Sequence, residues 1–76
     1  MLFDEDLDAG GQRCPIPVLK ARKRLKALAP GAVLRVYSDD PVAKLDMANL
    51  CREDGHNLLG TVERGEGWFF YLRKAS

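Results

Sequence analysis

The chain has 76 residues, of which 46% are hydrophobic and 30% charged, and its formal net charge is +1. That length predicts a single domain over residues 1–76, with one modest core that buries roughly 60–65% of the unfolded surface. Apolar residues recur throughout, which excludes a disordered chain, and no apolar run approaches the ~20 residues of a membrane span.

The opening Met1-Leu2-Phe3-Asp4-Glu5-Asp6 is acidic and lacks the basic region and apolar core of a signal peptide, so a cytoplasmic location is expected. In a reducing compartment, two cysteines read as reactive or buried thiols rather than as a disulfide. The small net charge hides an asymmetry. Asp4, Glu5, Asp6 and Asp8 crowd residues 1–8, while Arg13, Lys20, Arg22, Lys23, Arg24 and Lys26 crowd residues 13–26. A basic face of this kind suits docking to an acidic protein surface or to nucleic acid, the alternative being cations that keep a helix soluble.

In chain order, Leu2 to Asp8 is a candidate first strand that ends at Gly10-Gly11. Pro17 to Ala29 is helical, with Val18, Ala21, Leu25 and Leu28 forming an apolar stripe that Pro30-Gly31 stops. Val33 to Tyr37 is β-branched and aromatic, a second strand. Ser38-Asp39-Asp40-Pro41 reads as a helix start, with Asp or Ser able to cap and Pro suited to the first turn. The helix runs to about Asp54 with Ala43, Met47, Leu50 and Cys51 on one face, and Gly55 closes it. Leu58–Glu63 and Trp68–Lys74 are strands joined through Arg64-Gly65-Glu66-Gly67.

The expected architecture is an α/β two-layer sandwich of order β-α-β-α-β-β. Crossover handedness puts both helices on one face of a mixed four-stranded sheet. The other face is then open, and it leaves Tyr37 and alternate members of Trp68-Phe69-Phe70-Tyr71 partly exposed, either as a contact surface or as ordinary strand composition.

Chemistry concentrates at Arg13-Cys14-Pro15-Ile16-Pro17. The spacing puts Cys14 at a helix N-terminus, where the macrodipole favours an anion. Arg13 is adjacent, Lys20 is one turn on, and Pro15 and Pro17 fix φ and hold the sulfur in place. A thiol in that setting is expected to have a depressed pKa and to act as a nucleophile. No Cys–His–Asn set follows from the spacing, because the single histidine, His56, lies past the second helix. Position 17 is Pro, so there is no Cys-x-x-Cys motif. Two cysteines and one histidine fall short of a zinc site, and neither metal nor cofactor is expected. Chemistry that needs one reachable sulfur remains, and carrying sulfane sulfur as a persulfide fits it.

Leu7-Asp8, Gly11-Gln12-Arg13-Cys14-Pro15-Ile16-Pro17, Pro30-Gly31, Ser38-Asp39-Asp40-Pro41, Leu50-Cys51, Gly55-His56 and the closing Tyr71-x-Arg73-Lys74 resemble, in that order, the TusA/SirA-like sulfur carriers. The resemblance covers nearly the whole chain, and its specific element is Cys-Pro-x-Pro. It implies the same β-α-β-α-β-β sandwich and a persulfide on Cys14. It implies sulfur received from a cysteine desulfurase or a rhodanese. Delivery would be to an acceptor protein in tRNA thiolation, molybdenum-cofactor maturation or sulfur oxidation. Asp40 resembles the family's aspartate near that cysteine, a position that helix capping also explains. Many members carry an aromatic residue where this chain has Leu50, which reads as a change within the core.

Arg13, Pro15, Pro17, Lys20 and Asp40 are therefore expected to support Cys14, with Lys23 and Arg24 as the docking surface. Cys51 reads as a buried small hydrophobe rather than a resolving thiol, and His56 as a contact for the last helical carbonyls. Trp68 and Phe70 read as sheet packing. A monomer with no direct nucleic-acid contact is the simplest expectation. Two other readings stay open. One is a small nucleic-acid-binding module, by loose fold analogy to the C-terminal domain of a bacterial translation initiation factor. The other is a redox-sensing regulator in which Cys14 oxidises.

Overall fold

The computed structural model describes residues 2–75. The elements are β1 (Glu5–Asp8), α1 (Ile16–Ala27), β2 (Val33–Ser38), α2 (Ala43–Asp54), β3 (Asn57–Arg64) and β4 (Gly67–Arg73). The strands form one sheet of order β1-β2-β4-β3, in which β1 and β2 are parallel and β4 runs antiparallel to both β2 and β3. The expected mixed sheet with both helices on one face is what the chain forms.

Each helix buries the stripe its periodicity marks. Ala21 and Leu25 of α1 and Ala43, Met47, Leu50 and Cys51 of α2 meet Leu34, Val36, Phe70 and Leu72 of the sheet in one core. Fully burying a side chain the size of Leu25 contributes roughly 1.5–3 kcal/mol. The strands alternate as a one-sided sheet demands: in β2, Leu34, Val36 and Ser38 point inward while Arg35 and Tyr37 point away.

Element ends differ from the sequence expectation where side chains take over from the ladder. β1 starts at Glu5 instead of Leu2, because the Asp4 carboxylate accepts the Val33 N–H at 2.8 Å. α1 stops at Ala27, since Leu28 is already extended. Its last turn is stitched by Lys74, whose ammonium donates to the carbonyls of Lys26 (3.1 Å) and Leu28 (2.6 Å), a cation on the negative end of the helix. α2 starts at Ala43 and not within Ser38–Pro41, because the Asp40 carboxylate closes an Asx-type turn onto the Val42 N–H at 3.1 Å.

The open face is less bare than the sequence suggests. Arg35 lies 4.0 Å from the centroid of Phe3 and 4.2 Å from that of Phe69, and its guanidinium forks onto both carboxylate oxygens of Asp6. Tyr37 meets Phe69 edge-on at 5.3 Å. Tyr37 and Phe69 are half-buried and Tyr71 is buried. The remaining depression, about 320 Å³, is lined by Asp6, Asp8, Arg35, Tyr37 and Phe69.

Parallel pairing of β1 and β2 positions the site. Both strands end at the same edge of the sheet, and each hands its chain to the first turn of a helix there. In open α/β sheets such carboxyl edges are where chemistry collects.

Candidate functional site

Cys14 sits at that edge, exposed, in the loop from β1 to α1. It precedes Pro15, which is the N-cap of α1, and Pro17 lies buried in the first turn. The Cys14–Pro15 peptide is cis. The turn is held from the far side of the sheet edge. The Asp40 carboxylate, itself buried, accepts the Cys14 N–H at 2.6 Å through Oδ2 and the Val42 N–H through Oδ1. Ser38, also buried, turns its hydroxyl oxygen to the Asp40 N–H at 3.2 Å. One carboxylate thus ties the cysteine turn to the start of α2.

Arg13 turns away from the sulfur. Its guanidinium donates to Asp39 Oδ1 at 3.0 Å, and the same oxygen accepts the Gly11 N–H at 3.0 Å. The Gly11 N–H, seconded by Arg13, holds the Asp39 carboxyl below its ordinary range. Lys20 lines a groove with Leu7, Asp8, Lys23, Arg24 and Ala27. Arg24 pairs with Glu5 at 2.6 Å, whereas Lys23 is exposed.

The expected depression of the Cys14 pKa is overturned. The Asp46 carboxylate, acting as hydrogen-bond acceptor for the thiol, pushes the pKa above its ordinary value, with partial desolvation and the charges of Asp46 and Asp40 adding to the effect. The physical reason is placement. The neighbouring cation in sequence is spent on Asp39, the Ile16 N–H points to the Arg13 carbonyl at 2.9 Å, and the first turn of α2 brings carboxylate rather than ammonium to the sulfur. A dipole effect at an exposed helix end is small beside the charge of a nearby carboxylate.

The other candidates fall elsewhere. Cys51 is buried in the core, and burial, with the charge of Asp54, pushes its thiol up to about 11. The His56 N–H donates to the Cys51 carbonyl at 2.8 Å, as a helix-ending residue should, while its Nδ1 accepts the Ala75 N–H at 3.1 Å. Among the described residues no group of three or more His, Cys, Asp or Glu is placed to hold a metal ion, and no helix is long and apolar enough to cross a membrane.

Two features of this edge escape a reading of the sequence. One is Asp46. Its only signal is an acidic residue in the first turn of α2, a place that acidic residues favour for the helix dipole alone. The other is a set of exposed apolar side chains. Ile16 and Leu19 come from the first turn of α1, and Val42 and Leu45 from the start of α2, each 44–64% exposed. They belong to the two helix starts that the Asp40 carboxylate ties together.

Comparison with known proteins agrees with this geometry. The family model described as Sulfurtransferase TusA matches residues 5–74. The chain is 37% identical over 73 residues to the sulfur carrier protein TusA of Allochromatium vinosum, covering 96% of each chain. It is 38% identical over 74 residues to that of Pseudomonas entomophila, covering 97% of this chain and 92% of the relative. A solved structure, the SirA-like protein from Desulfitobacterium hafniense, superposes with a TM-score of 0.85 at 25% identity over 96% of this chain and 100% of its own. The small α/β sandwich is the form this chain shares with that SirA-like structure. The chain belongs to the TusA family of sulfur carriers.

Proposed function

We propose that the protein carries sulfane sulfur as a persulfide on Cys14, taking it from a cysteine desulfurase or rhodanese and passing it to an acceptor protein. The supporting observation is an exposed thiol in a turn whose backbone Asp40 clamps, at an end of the molecule where Ile16, Leu19, Val42 and Leu45 of the two helix starts are also exposed. In the loading step the Cys14 thiolate attacks the outer sulfur of the donor persulfide. A Cys14 S–S bond forms as the donor's S–S bond breaks, and the donor cysteine leaves as thiolate and takes up the proton Cys14 gave up. No net oxidation occurs, so a reachable sulfur suffices. Delivery is the same exchange in reverse sense, with Cys14 as leaving group.

In this reading the carrier works as a cytoplasmic monomer, with Arg13, Pro15, Pro17 and Asp40 shaping the turn. Lys20, Lys23 and Arg24 supply a basic flank for steering. tRNA thiolation, molybdenum-cofactor maturation and sulfur oxidation are the pathways the family reading offers. Mass spectrometry after incubation with a desulfurase and free cysteine tests the proposal: a gain of about 32 Da, one sulfur atom, is expected on Cys14. The same gain in Cys14→Ser would overturn it. Lys23→Glu with Arg24→Glu should slow loading at low salt, and an unchanged rate would remove the basic flank from the account.

A further inference from the structure

The sheet has two free edges, and they differ. β3 is interrupted by a bulge between Leu58 and Gly60, a device that turns an edge away from new strands. β1 pairs with β2 in unbroken register from Glu5 to Asp8, and among the described residues no strand lies on its other side. The Ala9 N–H donates to the Tyr37 carbonyl at 2.9 Å. A strand turns the backbone groups of alternate residues to opposite sides, so Glu5 and Leu7 bond to β2 while the N–H and C=O groups of Asp6 and Asp8 point outward. Beside this edge runs a groove of about 450 Å³, lined by Leu7, Asp8, Lys20, Lys23, Arg24 and Ala27. Positions 20, 23, 24 and 27 share one face of α1. Arg22 stands on the opposite face, where Glu53 and Asp54 of α2 hold it. Arg24 is tied to Glu5. Lys20 and Lys23 are exposed and form no ion pair among the described residues.

The two sides of the β1 edge carry opposite charge. Lys20, Lys23 and Arg24 stand on the helix side. On the open face stand the carboxylates of Asp6 and Asp8, with Tyr37 and Phe69 beside them. A nucleic-acid strand is negative along its whole length and meets repulsion from that second side. An extended peptide sends alternate side chains to opposite faces. It can therefore set acids against Lys20 and Lys23 while uncharged groups lie over Asp6 and Asp8. Its main chain at the same time supplies partners for the outward backbone groups of the edge.

We propose that the groove between β1 and α1 takes an extended acidic segment of a partner protein. The segment adds to the free edge of β1 as a further strand, and every second side chain is an acid that faces Lys20 and Lys23. The inference goes beyond sulfur carriage. Its test leaves Cys14 out, so either reading can fail alone.

The intact, isotope-labelled chain is titrated at low salt with a short capped peptide that alternates glutamate with threonine, and its amide signals are followed by NMR. The Asp6 and Asp8 amides are expected to move downfield, together with changes at Lys20 and Lys23. A peptide of the same composition with its glutamates in one run should bind several-fold more weakly. Two N-methylated versions of the alternating peptide test the main chain, one methylated on the glutamate nitrogens and the other on the threonine nitrogens. Only one of these sets faces β1 in a paired strand, so one version should lose roughly tenfold in affinity while the other keeps most of it. Lys20→Glu with Lys23→Glu should weaken the parent peptide by roughly tenfold, an effect that shrinks as salt is added. Asp6 and Asp8 amides that stay in place at about 1 mM peptide would overturn the proposal. So would methylated versions that bind alike, or an unchanged affinity in the lysine variant. An oligouridylate that displaces the peptide and holds the same lysines more tightly would overturn it in favour of nucleic acid.

Discussion

The Asp40 carboxylate receives the backbone N–H of Cys14 at 2.6 Å, joining residues 26 positions apart at the edge where β1 and β2 end. The second oxygen of the same carboxylate starts α2 through Val42. Asp40→Ala leaves both donors without their partner, a loss of about 2 kcal/mol. For a chain of this size that is a fall in melting temperature on the order of 10 °C by circular dichroism. Amide exchange should speed up at Cys14 and Val42 before it does in the core strands. Wild-type exchange rates at these two amides would show that the clamp holds nothing.

Gly67 opens β4 against the end of β2. A Cβ placed there would lie 2.6 Å from the Ser38 carbonyl oxygen and 2.6 Å from the Tyr37 hydroxyl. The first of these is backbone, so β2 itself must shift, and Ser38 is the residue that braces Asp40. Gly67→Ala should therefore cost about 1–3 kcal/mol and disturb the cysteine turn across the sheet. Chemical shifts of Cys14 and Asp40 that stay in place would break this link.

On the acid side, Arg35 holds the Asp6 carboxyl below its ordinary range, and the Gly11 N–H with Arg13 does the same for Asp39. A depressed carboxylate adds stability above its unfolded pKa of about 3.9, and that contribution is lost as pH falls through the folded value. Denaturant midpoints should drop below pH ~4 in the wild-type chain. Asp6→Asn with Asp39→Asn should start lower and fall less steeply. Parallel curves for the two proteins would exclude these groups as the cause.

The alkaline limb has a different owner. Burial raises the Cys51 thiol to about 11, while the unfolded chain ionises near 8.5. The folded state thus keeps a proton that the unfolded state sheds, and the contribution of Cys51 to stability declines between those two values as pH rises. Cys51→Ala loses about 1 kcal/mol of packing at neutral pH but should show a shallower decline in that window. An identical slope would mean that other groups govern it.

Much of the fold was legible because its signals are local. The stripes Ala21/Leu25 and Ala43/Met47/Leu50/Cys51 follow helical spacing, and they are the residues the helices bury. Gly55 and Gly65-Glu66 end elements where their chemistry says they should, while α1 stops at Ala27, ahead of Pro30-Gly31. Cys14 stands out by its prolines alone. Its ionisation was not legible, and the reason is geometric. Arg13 is its neighbour in sequence and Asp46 is 32 positions away, yet Arg13 answers Asp39 and Asp46 answers the thiol. The direction each side chain takes depends on how β1 and β2 align their ends, which no spacing within one segment encodes. On the open sheet face the partial exposure of Tyr37 and Phe69 was legible, but their neighbour was not, because Arg35 covers Phe3 and Phe69 from strands and loops that meet only on folding.

The Lys74 ammonium fastens the last turn of α1 to the strand that closes the sheet, while Cys14 lies at the other end of that helix, roughly 18 Å away for twelve residues. The molecule is in this sense bipolar, with one pole sewn shut and the other kept for visitors. A fluorophore or purification handle appended past Lys74 should therefore leave traffic at the sulfur unimpeded, whereas the same cargo grafted near Gly11 would stand in the doorway.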